Sequence, residues 1–223
     1  MRIRKKKWAE PELALCDYFI KTPEDFKGRW QTAFAKPQPL HLEIGCGKCT
    51  FIAQLALHNP DVNFLAIDIK PDMLGVGRRN IEQLYAAMGV QTPPQNLRLA
   101  CKNVEQIYEI IAPPDEVQRL YINFCNPWPK EKHKKRRLTY PKKLDMYAKF
   151  LSPTGEIHFK TDDDDLFAES LEYFEQSGYK TLFLTQDLHS LPEVENIMTE
   201  HEQMFSQQGI KIKKAVFVPP KKL

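Results

Sequence analysis

The chain has 223 residues, 42% of them hydrophobic, and a formal net charge of +3. This length and apolar content are enough to bury a full core, and one main domain is the simplest expectation. There is no apolar run of the about 18 residues that span a bilayer and no basic-then-apolar N-terminus, so we expect no membrane span, no secretory signal and a cytoplasmic location.

The first 38 residues differ in composition from the rest of the chain. Five basic residues lie between Arg2 and Lys7. So much charge is unsuited to burial, and we expect this arm to become ordered only on a partner. The stretch 11–19 is predicted to form a short helix. We therefore assign residues 1–38 to a basic N-terminal extension and residues 39–223 to a single domain.

From residue 40 onward, strand and helix patterns alternate. Strands are predicted at 40–44, 62–67, 97–101, 120–124, 156–160, 179–185 and 212–218. Helices are predicted at 48–58, 71–88, 104–111, 141–151, 162–176 and about 194–208. The alternation predicts an α/β fold with a doubly wound, mostly parallel, seven-stranded sheet and right-handed crossovers, in which the last two strands form an antiparallel edge.

The first strand runs into the turn Gly45-Cys46-Gly47. Glycines at this place are shared by dinucleotide enzymes, P-loop proteins and methyltransferases. Glu43 would repel a pyrophosphate and attract a cation, and Thr50 stands where a dinucleotide site has a third glycine. S-adenosylmethionine carries a sulfonium and an ammonium group and no phosphate, so the charge at this turn favours it as the cofactor.

Two polar residues follow the next strands along the chain. Asp68 ends the second strand and is placed to accept hydrogen bonds from a ribose diol. Asn103 follows the third strand, where its amide can read an adenine ring. Asn103, taken alone, is equally well explained as a helix cap or turn residue, and this explanation is weaker for the pair Glu43 and Asp68. Together, the three residues favour a site for S-adenosylmethionine.

The stretch 121–140 joins a strand end, an aromatic turn and a basic segment. Asn-Pro-Trp-Pro at 126–129 follows the fourth strand, and eight Lys and Arg residues lie between 130 and 143. A basic run alone is commonly a solvated surface, but clustered Lys and Arg beside a strand end fit a nucleic-acid site. We expect His133 to contact phosphate, and Trp128 either to pack or to stack.

The cysteines are an odd set: Cys16, Cys46, Cys49, Cys101 and Cys125. Their one CxxC pair lies inside the glycine turn and lacks a second pair or spaced histidines. We therefore interpret them as structural thiols and predict no metal site.

Four segments resemble, in the same order, the signature blocks of the bacterial tRNA (guanine-N7)-methyltransferases. They are LEIGCGKCTF at 42–51, YINFCNPWPKEKHKKRRLTYP at 121–141, IHFKTDDDDLF at 157–167 and NIMTEHEQMF at 196–205. The resemblance covers the chain from about residue 40 onward. It implies a Rossmann-like class I methyltransferase fold and methylation of N7 of a variable-loop guanine in tRNA by S-adenosylmethionine.

The resemblance also implies which residues form the site. It matches Glu43, Asp68, Asn103 and Asn126 to cofactor contacts, to which the glycine turn adds Gly45 and Gly47. It matches Lys130, Asp162 and the stretch from Thr199 to Glu202 to tRNA contacts, to which the basic segment adds His133, Arg136 and Arg137. The catalytic candidates are Asn126, Asp162 and Glu202. The chain departs from the family pattern at Cys49, where a glycine is usual, and at Asn126, where an aspartate is common.

The expected chemistry needs no general base, because guanine N7 carries an in-plane lone pair and no proton. Alignment and charge placement would then carry the catalysis. Methylation makes the base cationic, and Asp162 and Glu202 are candidates to stabilise that charge, while Asn126 would position the base or the cofactor. Asp162 equally fits a helix cap, and Thr199 and Glu202 equally fit an exposed helical face.

Two other functions remain open at this stage. Asn-Pro-Trp-Pro resembles the Asn-Pro-Pro-aromatic turn that holds an exocyclic amine, which would make the protein an amino-methyltransferase acting on RNA. The asparagine at 126 also fits a tRNA-binding protein without enzymatic activity. Oligomeric state stays open between monomer and homodimer.

Overall fold

The computed structural model describes residues 5–220, so the predicted ordering of the basic residues 1–4 on a partner lies outside the described residues. The chain divides into two compact units, Met1–Ile111 and Ala112–Leu223. Each unit contains four strands and three α-helices among its described residues. No helix in the described range 5–220 is both long and apolar enough to cross a membrane.

The first unit is built on parallel strands. Its elements are α1 (Ala9–Ala14), β1 (Phe19–Ile20), β2 (Leu40–Ile44), α2 (Thr50–His58), β3 (Asn63–Asp68), α3 (Pro71–Ala87) and β4 (Leu97–Cys101). The strands lie in the order β1-β4-β3-β2, all parallel. Every residue of β2 and β3 is buried, as expected for parallel strands covered on both faces.

The N-terminal segment takes part in the packing of the first unit. Helix α1 begins earlier than predicted, and Ala9 and Leu13 are 0% and 2% exposed. A Cβ built on Gly75 of α3 would lie 2.6 Å from the Cβ of Ala9, so only glycine permits this contact. Phe19 pairs with Leu99 of β4, which adds a strand that was not predicted. The chain therefore has eight strands in its described part, not seven.

The second unit contains parallel and antiparallel pairs. Its elements are β5 (Val117–Asn123), α4 (Pro141–Phe150), β6 (Leu151–Thr161), α5 (Asp164–Gln176), β7 (Lys180–Thr185), α6 (Glu200–Gln207) and β8 (Lys213–Val218). The strand order is β5-β6-β8-β7. Strand β8 is antiparallel to both β6 and β7. The expectation that the last two strands form an antiparallel edge is therefore confirmed, with β7 outermost and β8 between β6 and β7.

Several element boundaries also differ from the predictions, for example those of β5, which begins at Val117 and not at 120. The segment Val104–Glu109 is a 3-10 helix with a non-helical residue inside, not an α-helix to 111. Helix α6 begins only at Glu200, because the capping box of Thr199 starts it there. Strand β6 begins at Leu151, which pairs with Val117 of β5, and residues 152–155 form an irregularity before Glu156 pairs with Arg119.

Candidate active site

The turn after β2 is shaped by left-handed backbone conformations. The φ angles of Gly45, Gly47 and Cys49 are +71°, +54° and +58°. The backbone N–H groups of Gly45 and Cys46 both donate to the carbonyl oxygen of Ile67, at 2.8 and 3.1 Å. Glycine adopts such angles without steric cost, whereas a cysteine costs roughly 1–2 kcal/mol. The backbone therefore keeps a glycine-like path at Cys49.

The side chain of Cys49 fills space made by a glycine of α3. A Cβ on Gly77 would lie 2.5 Å from the Cys49 Sγ. The Cys49 thiol is also 3.7 Å from that of Cys46, and both are free and buried. Burial, followed by the hydrogen bond shared with Cys49, raises the pKa of the Cys46 thiol. The two thiols thus pack inside the turn. Residues 5–220 contain no group of three His, Cys, Asp or Glu side chains able to hold a metal ion.

Asp68 joins the turn to the start of α3. One carboxylate oxygen accepts from the Gly47 N–H at 2.9 Å and the other from the Lys70 N–H at 2.8 Å. The residue is 9% exposed, and this burial raises the pKa of its carboxyl. Each oxygen keeps a second lone pair that can accept from a hydroxyl. Asp68 is therefore oriented by the backbone and able to accept further hydrogen bonds.

Glu43 and Asn103 lie on either side of Asp68 in strand order. Glu43 is 3% exposed and pairs in register with Ala66 of β3. Asn103 follows β4 and caps the 3-10 helix, with its Oδ1 accepting from the Glu105 N–H at 3.0 Å. Asn103 therefore caps the helix with its side-chain oxygen, as one of the two predictions for it expected. Its amide nitrogen is the group able to donate a hydrogen bond to an adenine ring.

The turn after β5 contains two strained residues. Phe124 has φ +50° and Trp128 has φ +43°, both unusual for residues with a side chain. The Oδ1 of Asn126 accepts from the Trp128 N–H at 3.0 Å, and the rest of Asn126 is exposed. The side-chain oxygen of Asn126, which was expected to position the base, is therefore used to shape the turn. The amide nitrogen is the group that Asn126 presents to a ligand.

An aromatic cluster adjoins this turn. The Phe124 ring lies 6.0 Å from the His201 ring at an interplanar angle of 17°, and 6.1 Å from the Phe205 ring. His201 is exposed at the start of α6. This cluster was not predicted from the sequence. The four-residue spacing of His201 and Phe205 was an available signal, but nothing local connects either residue to Phe124.

The basic segment forms a 3-10 helix over Glu131–Arg136 and is only partly exposed. Lys134 pairs with Glu131 at 2.7 Å and with Glu169 at 2.9 Å. Hydrogen bonds to these two carboxylates raise the pKa of Lys134. The Nζ of Lys143 donates to the Lys135 carbonyl oxygen at 2.8 Å and is buried. The exposed basic residues between 130 and 143 are Lys130, Lys132, Lys135, Arg136 and Lys142.

Arg136 and Arg137 occupy opposite environments. Arg136 is exposed, with its Cζ 5.1 Å from the centre of the Trp128 ring. The His133 ring lies 5.8 Å from the same ring. Arg137 is 1% exposed; its Nε donates to the Pro127 carbonyl oxygen at 2.7 Å. The predicted contact of Arg137 with tRNA is not supported by this placement, because a buried guanidinium has no access to phosphate.

The four aspartates at 162–165, which follow β6, have separate roles. Asp163 caps α5, its Oδ1 accepting from the Leu166 N–H at 2.7 Å. Asp164 pairs with Lys213 at 2.6 Å. Asp162 is half-buried, and this burial raises the pKa of its carboxyl, against the opposing fields of Lys213 and His201. The capping role considered for Asp162 therefore belongs to Asp163.

Glu202 is 0% exposed and lies inside a polar network. Its carboxylate accepts from the Lys160 Nζ at 2.7 Å, the His189 Nε2 at 2.9 Å and the Asn196 Nδ2 at 2.5 Å. Burial raises the pKa of Glu202, but the charge and hydrogen bond of Lys160 outweigh it and lower the pKa overall. The alternative of an exposed helical face for Thr199 and Glu202 is wrong, because the two residues form a buried capping box.

Comparison with known proteins identifies the family. Residues 37–215 match the family model described as "Putative methyltransferase". A tRNA (guanine-N(7)-)-methyltransferase of Clostridium beijerinckii is 53% identical over 213 residues, 96% of each chain. This chain belongs to the tRNA (guanine-N(7)-)-methyltransferase family. The enzyme of that name from Clostridium perfringens is 48% identical over 224 residues, 100% of both chains.

Solved structures confirm the fold class. The 16S rRNA methyltransferase KamB superposes with a TM-score of 0.57 at 14% identity, covering 98% of this chain and 97% of that chain. The antibiotic-resistance methyltransferase Kmr gives 0.53 at 11% identity, covering 83% and 88%. The predicted α/β, Rossmann-like class I methyltransferase fold is therefore confirmed.

Proposed function

We propose that this chain transfers a methyl group from S-adenosylmethionine to N7 of a variable-loop guanine in tRNA. The names of its relatives support the reaction. The observation that carries the proposal is the turn at 126–129, which joins the end of β5 to an exposed row of cations headed by Lys130 and Arg136. A phosphate backbone bound there would bring its bases to the carboxyl ends of β5 and β6.

The first unit fits the cofactor. The buried carboxylate of Glu43 matches a ligand that carries positive charge and no phosphate. Asp68, fixed by two backbone N–H groups, retains lone pairs for the hydroxyls of a ribose. The amide nitrogen of Asn103 can donate to an adenine ring nitrogen. Gly45 and Gly47 let the backbone come close to the ligand. When bound, S-adenosylmethionine supplies an electrophilic methyl group on its sulfonium.

The second unit supplies the groups that orient the base. Asn126 and Asp162 follow adjacent strand ends, since Asn123 of β5 pairs with Lys160 of β6. The Asp162 carboxylate would accept the N1 and N2 hydrogens of guanine and stabilise its developing positive charge. The Asn126 amide would position the base, and the exposed His201 ring offers it a flat face. No residue needs to remove a proton.

The remaining predicted site residues divide by accessibility. Lys130, His133 and Arg136 would contact the tRNA backbone. Thr199 and Glu202 would act indirectly, because their buried capping box fixes the start of α6 and with it His201. The cytoplasmic location and the choice between monomer and homodimer remain predictions.

The two alternatives are less well supported. In the turn at 126–129, Trp128 has a left-handed conformation between two prolines, which departs from an Asn-Pro-Pro-aromatic turn. A tRNA-binding protein without activity does not agree with relatives that are named as methyltransferases over nearly their whole length.

A direct test is methyl transfer from labelled S-adenosylmethionine to an unmodified tRNA transcript, followed by nucleoside analysis. We expect the label in N7-methylguanosine. The matched control is a transcript whose variable-loop guanine is replaced by adenine, which should accept no label. Label in N2-methylguanosine or N6-methyladenosine would support the amino-methyltransferase. Cofactor binding without any transfer would support the binding protein.

A further inference from the structure

We propose that Arg137 is a positioning residue that holds the turn 126–129 in its active shape, while its neighbour Arg136 contacts the tRNA backbone. The proposal rests on the proposed function. It separates two adjacent residues of equal charge, both of which the sequence assigns to tRNA binding.

The contacts of Arg137 point inward. Its Nε donates to the Pro127 carbonyl oxygen at 2.7 Å and its Nη1 to the Glu169 Oε2 at 2.8 Å. Pro127 is the central residue of the turn, between Asn126 and Trp128. The guanidinium therefore ties the middle of the turn to helix α5, which carries Glu169. Two directed bonds from one rigid fork fix both position and orientation.

The turn needs such a tie. Trp128 has φ +43°, and such a conformation in a bulky residue persists only where its surroundings hold it. The one hydrogen bond within the turn joins the Asn126 Oδ1 to the Trp128 N–H at 3.0 Å. Without the bond from Arg137, the Pro127 carbonyl group would be free to rotate, and the direction of the Asn126 amide would change with it.

Glu169 is a firm support for Arg137. Its carboxylate also binds the Lys134 Nζ at 2.9 Å and the Tyr173 hydroxyl at 3.2 Å. Burial raises the pKa of Glu169, but the hydrogen bonds from Lys134 and Arg137 lower it overall, so it carries its charge at neutral pH. The charge of Arg137 is thus balanced inside the protein and is not available to a phosphate.

Arg136 has the opposite arrangement. It is exposed, and its guanidinium lies 5.1 Å from the Trp128 ring centre on the solvent side of the basic segment. Neutralising Arg136 should remove a phosphate contact. Neutralising or shortening Arg137 should disturb the turn and leave the phosphate contacts in place.

The test compares Arg137→Lys with Arg136→Gln in steady-state methyl transfer and in tRNA binding at several salt concentrations. We expect Arg137→Lys to lower kcat about tenfold or more, with tRNA affinity and salt slope unchanged, because lysine cannot reach both partners. Arg136→Gln should weaken tRNA binding and reduce the log–log salt slope by about 0.7–0.9. Arg119→Lys, which alters an Arg–Glu pair elsewhere in the unit, is the control and should keep its kcat.

Chemical rescue provides a second readout that loss of stability alone would not produce. In Arg137→Ala, added guanidinium ion should restore part of kcat, and sodium chloride at the same concentration should not. If the Arg137 variants do not fold, Glu169→Gln replaces them, and it should lower kcat with the salt slope unchanged.

The outcomes separate this proposal from the proposed function. An Arg137→Lys enzyme with normal kcat, or with a reduced salt slope, would overturn the positioning role, as would the absence of rescue by guanidinium in a folded Arg137→Ala. A natural protein that transfers no methyl group to tRNA would instead overturn the proposed function.

Discussion

The turn after β2 and the turn after β5 both follow the carboxyl end of a parallel strand, yet they are held by different means. Backbone groups and one short carboxylate fix the first, through Ile67 and Asp68. Long buried charged side chains fix the second and the neighbouring end of β6, through Arg137 with Glu169 and Lys160 with Glu202.

The difference follows from what each turn must present. The first turn binds its own Gly45, Cys46 and Gly47 N–H groups and has little side-chain bulk, which suits close approach of a small cofactor to its backbone. The second turn displays the side chains of Asn126 and Trp128, which suits a large and irregular substrate. A turn that displays side chains needs support from behind, and long charged groups can reach it from neighbouring elements.

The largest expected effect concerns the buried support of the second unit. Glu202→Gln leaves the Lys160 ammonium, with a side chain 4% exposed, without its counter-charge. We expect the free energy of unfolding at neutral pH to fall by about 3–5 kcal/mol. Denaturant titration of the variant measures this loss.

The pH dependence of that loss has a defined sign. The folded-state pKa of Glu202 is lowered, so its contribution to stability is present above its ordinary pKa and disappears as pH falls through the lowered value. The difference between wild type and variant should therefore shrink in acid. Glu200→Gln, at an exposed position of the same helix, should change stability by at most about 0.5 kcal/mol. If Glu202→Gln were as stable as the wild type, the turn after β5 and the neighbouring end of β6 would not depend on buried charge.

Removing the charge proposed to act on the base should have the next largest effect. Asp162→Asn keeps the shape of the side chain and should lower kcat roughly ten- to a thousandfold, or about 1.4–4 kcal/mol at the transition state. Single-turnover transfer to tRNA measures it. Asp165→Asn, at an exposed carboxylate in the same acidic run, is the matched control. Normal turnover in a folded Asp162 variant would mean that the carboxylate takes no part in the reaction.

Asp68→Ala tests the support of the first turn. It removes charge-assisted hydrogen bonds, and we expect cofactor affinity to fall by about 1.5–3 kcal/mol while tRNA affinity is unchanged. Calorimetric titration with S-adenosylmethionine measures the loss. Burial raises the pKa of Asp68, so its carboxylate takes up a proton at a higher pH than an exposed aspartate does. On acidification, the natural protein should therefore begin to lose cofactor affinity at that higher pH. Wild-type affinity in the variant would contradict the proposed cofactor site.

The smallest effect is expected at Asn126. Asn126→Asp keeps the oxygen that accepts from the Trp128 N–H and replaces only the amide nitrogen, by the oxygen that the family commonly has at this position, so turnover should change within about tenfold, or 1.4 kcal/mol. Asn126→Ala removes that acceptor and should be more harmful. If the natural protein proved inactive and the Asp variant were active by several orders of magnitude, a carboxylate would be required at 126, and the mechanism without a general base would be wrong.

Much of the first unit could be read from the sequence. The bounds of β2 and β4 were predicted to the residue, and the glycine turn and Asp68 lie where the pattern indicated. These features depend on local properties, namely apolar runs, glycine conformations and the residue that ends a strand. The fold class followed from the same alternation of elements.

Only the tertiary structure decided the rest. Strand β1 has two residues, too few to show a period, and exists because β4 offers it a partner. Arg136 and Arg137 are identical neighbours in the sequence, yet Arg136 is exposed and Arg137 is buried. Arg137 is buried because it pairs with Glu169, which lies 32 positions further along the chain. Lys160 and Glu202 are 42 residues apart. Local sequence patterns report the character of a residue, whereas the burial of a charge depends on a partner that only the folded chain brings to it.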